Sequence, residues 1–383
     1  MVTLLPFFII LVAGILFSLL FARLHLPWVI AMIAAGIVIG PFGLGILEPD
    51  TTLKFIGEVG LIFLMFMAGL ETRLSSFREF GRGIVIISLL TSTIPAIGGF
   101  MIGQFFGLGL NASLLLGIIF ISSSIAVVLP SLESNGLLIT KLGRTTVAST
   151  VVNDVLSLFL LSVFLQTTQT ITPIPLPLFY IGLVLSLFGL RWAIPKIREI
   201  VRKHGRRGDA FEKEVRAIVV ILLGTVAFFE VLGLHPITAA FFAGLILSES
   251  IESHELKEKM HALSYGVFIP VFFVIVGTQT NLGVFLQTRG ALPLTLAVVF
   301  LSVATKFVSG FVGAAIAGFG YIKSILVGSA MIPQLSTTLA VVFTARSLGL
   351  LNEQIITSMI ILSVVTTFIG PFAINRTASR LNK

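Results

Sequence analysis

The stretch Thr150-Val-Val-Asn153-Asp154-Val155-Leu-Ser157-Leu-Phe159 lies midway along an apolar run from about Leu142 to Gln166. If that run crosses a membrane as a helix, Asp154 is about twelve residues from either end and therefore near the bilayer midplane. An aspartate at that depth costs about 2.5–3.5 kcal/mol on insertion scales. Because a chain does not usually keep such a residue for packing, the stretch predicts a functional carboxylate inside a membrane.

The composition indicates a polytopic membrane protein. The 383 residues are 56% hydrophobic and 11% charged, and their mean hydropathy is +1.09, whereas a soluble domain carries about 25% charged residues. The sequence has no cysteine, which excludes disulfides, thiolate metal sites and cysteine catalysis. The net charge of +8 does not indicate a nucleic-acid partner, because the basic residues fall in loops between apolar runs and so face a membrane surface.

Apolar runs separated by loop signals predict an all-α fold with thirteen transmembrane helices. Their approximate ranges are 3–22, 27–45, 54–70, 83–105, 112–132, 142–166, 174–195, 214–233, 236–250, 259–279, 291–318, 321–347 and 353–375. If helix 7 (174–195) is a linker, two halves of six helices remain. An odd helix between the halves gives them opposite membrane orientation, so we expect two inverted repeats.

The distribution of basic residues is consistent with this topology. With loops alternating between the two sides, 21 of the 25 Lys and Arg residues fall on one side, and only Lys54, Arg289 and Arg346 fall on the other. Lys306 lies inside a predicted helix. By the positive-inside rule, the N-terminus is outside and the C-terminus inside. The predicted location is a prokaryotic plasma membrane.

The fifth predicted helix of each half is irregular. One reads Phe120-Ile-Ser122-Ser123-Ser124-Ile-Ala-Val-Val-Leu-Pro130, and the other reads Ser329-Ala-Met-Ile-Pro333-Gln334-Leu-Ser336-Thr337-Thr338. Paired broken helices in corresponding positions point to a transporter binding site, although Ser and Pro also serve packing and kinking alone. The residues predicted at the two breaks are Ser122, Pro130, Pro333, Gln334 and Ser336.

The chemistry expected at Asp154 is ion exchange. A carboxylate near the midplane can bind a dehydrated monovalent cation or a proton, but hardly both at once, so the two compete for one site. If the empty site cannot cross the membrane, this competition is sufficient for exchange. The other predicted ligands are Asn153, Ser123 and Ser124. Two alternatives remain open: Asp154 as a structural partner of Lys306, and Asn153 as a holder of backbone groups at the helix crossing.

Lys306 is the second deeply placed charge. It lies in Val303-Ala-Thr305-Lys306-Phe-Val-Ser309-Gly310, about twelve residues from the nearer end of its helix, which is too deep for its side chain to reach the interface easily. It is expected to pair with Asp154, to neutralise the negative ends of broken helices, or to carry a proton. A structural or modulatory role is favoured over proton carriage.

Enzymatic activity is not indicated. The sequence contains no Gly-rich phosphate loop, no HExxH and no serine-nucleophile signature, and we expect no cofactor. Three hypotheses remain: a secondary antiporter that exchanges Na⁺ or K⁺ for H⁺, a channel or ion-coupled solute symporter on the same inverted-repeat fold, and a membrane sensor that binds an ion without transporting it.

Over nearly its full length the chain resembles the monovalent cation/proton antiporter-2 family, which includes Kef-type and NapA-type antiporters. The residues that carry the resemblance are Phe63-Leu-Met-Phe-Met-Ala-Gly69-Leu-Glu71-Thr-Arg73, Ser122-Ser-Ser124, Asn153-Asp154, Gly244-Leu-Ile-Leu-Ser248-Glu249, Pro270-Val-Phe-Phe-Val-Ile-Val-Gly277 and Lys306. The resemblance implies a homodimer in which residues 1–70 and 214–279 form a static dimerisation scaffold. Residues 83–166 and 291–375 would form a core that moves as an elevator, with Asp154 as the ion-binding aspartate.

The sequence departs from the family pattern at three places. Sodium-type electrogenic members carry a second aspartate where this chain has Asn153, which predicts electroneutral one-for-one exchange. The twelfth helix reads Pro333-Gln334-Leu-Ser336 where some relatives carry Arg and Glu, so an ion pair there is lost. The nucleotide-binding regulatory domain of Kef-type proteins does not follow the last predicted helix, so we expect it to be absent or supplied by a separate subunit.

Overall fold

A computed structural model of the chain consists of helices joined by loops in the residues that it describes, with no strand among them. These are residues 4–23, 27–71, 81–168, 210–231, 235–250, 254–288 and 290–381, together with five single positions, 181, 185, 189, 192 and 196. The linker helix predicted at 174–195 lies almost wholly outside the described residues. The basic loop that follows it lies outside them up to residue 209.

The described helices are numbered in chain order. They are α1 Leu4–Arg23, α2 Trp28–Ile39, α3 Thr51–Glu71, α4 Arg82–Phe105, α5 Leu110–Ile121, α6 Ile125–Glu133, α7 Lys141–Thr168, α8 Ala210–Val231, α9 Pro236–Ser250, α10 His254–Leu263, α11 Ile269–Thr278, α12 Val284–Gln287, α13 Ala291–Ile316, α14 Tyr321–Met331, α15 Ser336–Ser347 and α16 Glu353–Leu381. One turn of π-helix, Ser264–Phe268, joins α10 to α11.

Within the described part of the chain, nine helical segments are long and apolar enough to cross a membrane. They are Leu4–Arg23, Thr51–Glu71, Arg82–Phe105, Leu110–Glu133, Lys141–Thr168, Glu255–Thr278, Ala291–Ile316, Tyr321–Ser347 and Glu353–Leu381. Two shorter apolar helices, Trp28–Ile39 and Pro236–Ser248, accompany them. The chain is therefore an all-helical integral membrane protein.

Each predicted helix other than the linker overlaps a described helix or a described pair of half-helices. Two helix ends differ most, by about six residues. α2 ends at Ile39 rather than near residue 45, since Gly40 adopts an extended conformation, and α16 continues to Leu381 rather than ending near 375. Because helix 7 lies outside the described residues, the count of thirteen stays a prediction.

The chain forms two compact units. The Gly244 unit comprises residues 1–11, 49–75 and 162–275, and the Asp154 unit comprises residues 12–48, 76–161 and 276–383. Each unit is named after one residue that it contains.

In the Gly244 unit, α3 packs against α9 through glycine. A Cβ atom on Gly69 would lie 2.1 Å from the Phe241 carbonyl oxygen, and one on Gly244 would lie 2.0 Å from the Phe66 carbonyl oxygen. The two backbones can therefore approach so closely only because neither glycine has a side chain. This contact gives a physical reason for the glycines in two of the motifs that carry the family resemblance.

In the Asp154 unit, the apolar core lies among several helices. Its fully or largely buried members are Ile87, Val128, Leu132, Leu137, Leu142, Ala314, Leu326, Val327, Ala330, Met331, Ile374 and Ala378. They come from α4, α6, α7, α13, α14 and α16 and from the loop after α6. These helices hold in place the two interrupted spans of this unit.

Both spans are interrupted, and three of the five residues predicted at the breaks lie in them: Ser122, Pro333 and Gln334. Ser336 is instead the first residue of α15. The first break separates α5 from α6 at Ser122-Ser123-Ser124, whose hydroxyl groups compete with the backbone for hydrogen bonds. The second break separates α14 from α15 at 332–335 and contains Pro333, which has no N–H to donate. Pro130 does not lie at a break: it lies inside α6, which continues past it to Glu133.

Candidate functional site

Asp154 lies on α7 beside the first break. Its side chain is 1% exposed, and the backbone N–H of Ser123 donates a hydrogen bond to its Oδ1 over 3.1 Å. That N–H is free for the carboxylate because Ser123 lies in the break, outside the helical hydrogen-bonding pattern. The interruption of the helix therefore supplies a main-chain donor to a carboxylate buried inside the protein.

Lys306 on α13 contacts the same break. Its Nζ donates to the Ser123 hydroxyl over 2.9 Å and also to the carbonyl oxygen of Ile121, the last residue of α5. The ammonium group thus lies at the negative end of a half-helix, where a cation is favourable. Ser123 bridges the two charges, since its N–H contacts Asp154 while its hydroxyl accepts from Lys306.

Gln334 links the second break to the end of α5. Its side-chain Nε2 donates to the Phe120 carbonyl oxygen over 3.2 Å. The next carbonyl along the helix, that of Ile121, accepts from Lys306. Its backbone N–H donates to the Thr366 hydroxyl on α16 over 3.1 Å. The last two carbonyl groups of α5 therefore each receive a side-chain donor, one charged and one neutral.

The two breaks are also joined directly. The backbone N–H of Ser124 donates to the Pro333 carbonyl oxygen over 2.7 Å, and the Ser122 and Thr338 hydroxyls lie 2.7 Å apart. Ser123 adds a longer contact, in which its hydroxyl donates to the Met331 carbonyl oxygen over 3.3 Å. Every residue of the first break thus contacts the segment around the second.

Asn153 bonds to α4. Its Oδ1 accepts from the Ser92 hydroxyl over 3.0 Å and from the Thr91 hydroxyl over 3.3 Å, and its Nδ2 donates to the Thr91 oxygen over 2.9 Å. A longer contact joins Nδ2 to the Met331 sulfur. These bonds join α7 to α4 through side-chain hydroxyls, whereas the sequence left open a role in which Asn153 holds backbone groups at the helix crossing.

Two buried hydroxyl groups at or next to the two breaks have no hydrogen-bond partner. Ser124 Oγ and Thr337 Oγ1 belong to residues that are each 1% exposed, and neither atom makes a regular hydrogen bond. Thr337 interacts with the Asp154 carboxylate at a geometry outside that of a regular hydrogen bond. Buried hydroxyls are normally paired, so these two unpaired ones indicate oxygen atoms available to a ligand.

The structure brings most of the predicted site residues together. The residues with direct contacts at the two breaks or on α7 are Ser122, Ser123, Ser124, Asn153, Asp154, Lys306, Pro333 and Gln334. Ser336 is buried at the start of α15, and Pro130 lies six residues beyond Ser124 within α6.

Sequence reasoning missed five hydroxyl-bearing residues with contacts at the site: Thr91, Ser92, Thr337, Thr338 and Thr366. A signal for the first two was present, because Thr91-Ser-Thr-Ile-Pro95 combines hydroxyls with a proline inside a helix, as the broken helices do. Thr337 directly follows the predicted Ser336. A comparable signal exists for Thr366, because Thr366-Thr-Phe-Ile-Gly-Pro371 also combines hydroxyls with a proline inside a helix.

The site has no polydentate metal cluster of the usual kind. In the residues that the structure describes, no group of three or more His, Cys, Asp or Glu side chains is placed to hold a metal ion. A single carboxylate surrounded by hydroxyl and carbonyl oxygens suits a weakly held monovalent cation better than a tightly bound divalent one.

Comparisons with known proteins agree with one another. The sequence model of the family described as "Sodium/hydrogen exchanger, transmembrane" matches residues 7–380. The chain is 35% identical to "Probable Na(+)/H(+) antiporter 3" of Methanocaldococcus jannaschii, with 96% of this chain and 95% of the relative covered. It is 30% identical to "Na(+)/H(+) antiporter" of Enterococcus hirae, with 95% and 94% covered. These relatives are transporters rather than enzymes.

Among solved structures, the fold resembles that of the sodium proton antiporter MjNhaP1 from Methanocaldococcus jannaschii at pH 8. The TM-score is 0.70 at 19% sequence identity, and the match covers 97% of this chain and 94% of that one. This similarity concerns the fold alone. The extent of the family match and the identity to the two relatives establish that the chain belongs to the sodium/hydrogen exchanger family.

Proposed function

We propose that this chain is a secondary antiporter that exchanges a monovalent cation, Na⁺ or K⁺, for H⁺, with cation and proton competing for Asp154. The observation that carries the proposal is the buried Asp154 carboxylate, which accepts a hydrogen bond from the backbone N–H of Ser123 in the interruption of the helix. Two relatives named as Na⁺/H⁺ antiporters over almost the whole chain support it. Ser123, Ser124 and Asn153 are the further ligands predicted from the sequence.

These predicted ligands differ in whether their side-chain groups already make hydrogen bonds. Ser124 Oγ has no partner, whereas the Ser123 hydroxyl accepts from Lys306 and donates to Met331. The amide of Asn153 bonds to α4. We therefore propose Asp154 and Ser124 as direct ligands in this conformation, Ser123 as a main-chain donor to the carboxylate, and Asn153 as the residue that positions α7.

Lys306 is proposed to compensate charge rather than to carry the proton. Its ammonium group donates to the Ile121 carbonyl at the end of α5 and to Ser123. A cation in that place balances the negative end of a half-helix through the whole cycle, so its charge need not change when Asp154 exchanges ligands.

Inverted repeats are supported by a matched pair of contacts. In the first half, the N–H of Ser123 donates over 3.1 Å to Asp154, 31 residues later on the next long helix. In the second half, the N–H of Gln334 donates over 3.1 Å to Thr366, 32 residues later on the next long helix. We propose thirteen helices with these two breaks in corresponding positions, and with only the first half carrying a carboxylate there.

An elevator is the proposed transport mechanism, with residues 83–166 and 291–375 as the moving core and residues 1–70 and 214–279 as the scaffold of a homodimer. The compact unit that contains Asp154 overlaps the proposed core, but it also includes residues 12–48, which the proposal assigns to the scaffold. Light scattering of the purified protein in detergent tests the dimer, and a monomeric mass would contradict it.

One-for-one, electroneutral exchange is proposed because Asn153 leaves a single carboxylate at the site. A tenfold proton ratio is worth about 1.4 kcal/mol and supports at most about a tenfold cation gradient in such exchange. A potential of about 100 mV adds about 2.3 kcal/mol only if net charge moves. Steady-state Na⁺/H⁺ exchange should therefore be unchanged by an imposed potassium/valinomycin potential, and voltage-dependent exchange would contradict this stoichiometry.

The proposed orientation places the N-terminus outside and the C-terminus inside a prokaryotic plasma membrane, as the excess of basic residues on one side favours. A separate regulatory subunit is proposed as a possible partner. Labelling of single cysteines introduced at either end tests the orientation directly, because the sequence has no native cysteine.

The experiment that tests the function is dequenching of a pH-sensitive dye in proteoliposomes that contain the purified protein. Addition of Li⁺, Na⁺, K⁺ or Rb⁺ should dissipate an imposed proton gradient, with a preference that identifies the carried cation. Cation movement that persists without proton coupling would favour a channel. Cation-dependent thermal stabilisation without any flux would favour a non-transporting sensor.

A further inference from the structure

We infer that Thr337, in the first turn of α15, is a direct cation ligand at the Asp154 site and helps to determine which monovalent cation is carried. This inference rests on the proposed function. It adds to the site an oxygen atom from the second broken helix, whereas Asp154 and Ser124 both come from the first half of the chain.

Thr337 is held against the first break by contacts on both sides of it in the sequence. The Pro333 carbonyl oxygen accepts from the Ser124 N–H over 2.7 Å, and the Thr338 hydroxyl lies 2.7 Å from the Ser122 hydroxyl. Between those two contacts, the start of α15 runs alongside the segment that binds Asp154. The position of Thr337 beside the carboxylate is therefore fixed by the backbone rather than by a flexible side chain.

The hydroxyl groups in this cluster differ in whether they already make hydrogen bonds. The Ser122 and Thr338 hydroxyls bond to each other, and the Ser123 hydroxyl accepts from Lys306 and donates to Met331. Ser124 Oγ and Thr337 Oγ1, in contrast, make no hydrogen bond. Leaving a buried hydroxyl unpaired is unfavourable, and a cation beside Asp154 would give both oxygens a partner.

The chemistry of the three groups suits one partly dehydrated monovalent cation. The Asp154 carboxylate balances its charge, and two neutral hydroxyl oxygens replace part of its hydration shell. Because the neutral oxygens are held by two different broken helices, their separation sets the size of the ion that fits. A hydroxyl that moves or disappears should therefore change the order of preference among Li⁺, Na⁺, K⁺ and Rb⁺ and not only the affinity.

The test replaces the hydroxyl while keeping the shape of the side chain. Thr337→Val removes the oxygen, and Thr337→Ser keeps it. The matched control is Thr344→Val, two turns further along α15, where the hydroxyl is equally buried but donates only to the Ala340 carbonyl of its own helix. The measurements are the half-saturating concentration of each of the four cations in dye-loaded proteoliposomes, and the shift in melting temperature that each cation produces in detergent.

We expect Thr337→Val to raise the half-saturating concentration of the preferred cation about tenfold, to reduce the cation-induced melting shift and to alter the ratio between cations. Thr337→Ser and Thr344→Val should stay within about twofold of the unmodified protein. If Thr337→Val is not recovered folded, Thr337→Ala carries the same expectation.

Two results separate failure of this inference from failure of the proposed function. Half-saturation and selectivity that are unchanged in Thr337→Val, or that change equally in Thr344→Val, would overturn the role of Thr337 while cation-coupled flux in the unmodified protein upholds the antiporter. Absence of that flux in the unmodified protein would overturn both.

Discussion

Replacing Thr366 with valine should destabilise the protein, because a backbone N–H in the second helix break would lose its hydrogen-bond acceptor. The Thr366 hydroxyl accepts from the backbone N–H of Gln334 over 3.1 Å, and both residues are 0% exposed. Valine has nearly the same shape but no oxygen, so the N–H would remain buried and unpaired. Such a group costs about 1–3 kcal/mol, and we expect a loss of that size in the free energy of unfolding.

The adjacent Thr367 provides the matched control. It is 1% exposed on the same helix, and its hydroxyl donates only to the Ser363 carbonyl one turn earlier. Thr367→Val removes a donor but leaves no N–H without an acceptor, so its cost should be smaller. Thr366→Ser, which keeps the acceptor oxygen, should retain most of the stability that Thr366→Val loses.

Equilibrium unfolding in mixed micelles measures these differences, and dye dequenching in proteoliposomes measures their effect on transport. Because Gln334 also donates to the Phe120 carbonyl at the end of α5, a displaced break should slow exchange as well. If Thr366→Val and Thr367→Val unfold with free energies within about 0.5 kcal/mol of each other, the backbone bond does not hold the second break, and the reasoning is wrong.

Two further predictions concern the Gly244 unit. Gly244→Ala should destabilise the protein by about 1–3 kcal/mol or more, because the added Cβ would lie 2.0 Å from the Phe66 carbonyl oxygen. The control is Gly224→Ala on α8, which has nothing within 4 Å and should be neutral or stabilising by up to about 1 kcal/mol. Equal shifts in melting temperature for both variants would contradict the close packing of Gly244. Burial lowers the pKa of His235, which precedes α9, from 6.5 to about 4. The stability that the neutral ring contributes is therefore complete above about pH 6.5 and is lost as the pH falls towards 4. The loss in the free energy of unfolding is at most on the order of 3 kcal/mol. His235→Gln should flatten the dependence of melting temperature on pH across that range, and an unchanged slope would show that the histidine is not buried in its neutral form.

Much of the fold could be predicted from the sequence because membrane burial imposes strong patterns. Long apolar runs, loops rich in basic residues and two hydroxyl- or proline-rich interruptions are all local features, and the described helices follow them. At Ser122-Ser123-Ser124 the Ser122 hydroxyl bonds to the Ile119 carbonyl of its own helix, and the backbone N–H groups of Ser123 and Ser124 bond to Asp154 and Pro333 instead of to α5. Pro130 was misplaced because a proline lowers helix stability without deciding where a helix ends: tertiary packing carries α6 past it.

The candidate site was predictable in composition but not in its connections. Depth in the sequence predicts a functional role for Asp154 and Lys306, yet it does not show that Ser123 bridges them. Nor does it show that Asn153, next to Asp154, bonds to Thr91 and Ser92 instead. Adjacent residues on a helix point about 100° apart, so only the packing of α4 against α7 decides the partner of each.

The central claim is that one buried carboxylate is shared alternately by a monovalent cation and a proton. The most direct test compares the unmodified protein with Asp154→Asn in proteoliposomes, under a fixed proton gradient and with the cation that gives the strongest dequenching. The account predicts saturable, cation-dependent proton release from the unmodified protein and none from Asp154→Asn, with both proteins folded by their melting curves. Cation-coupled proton release that persists in Asp154→Asn would contradict it.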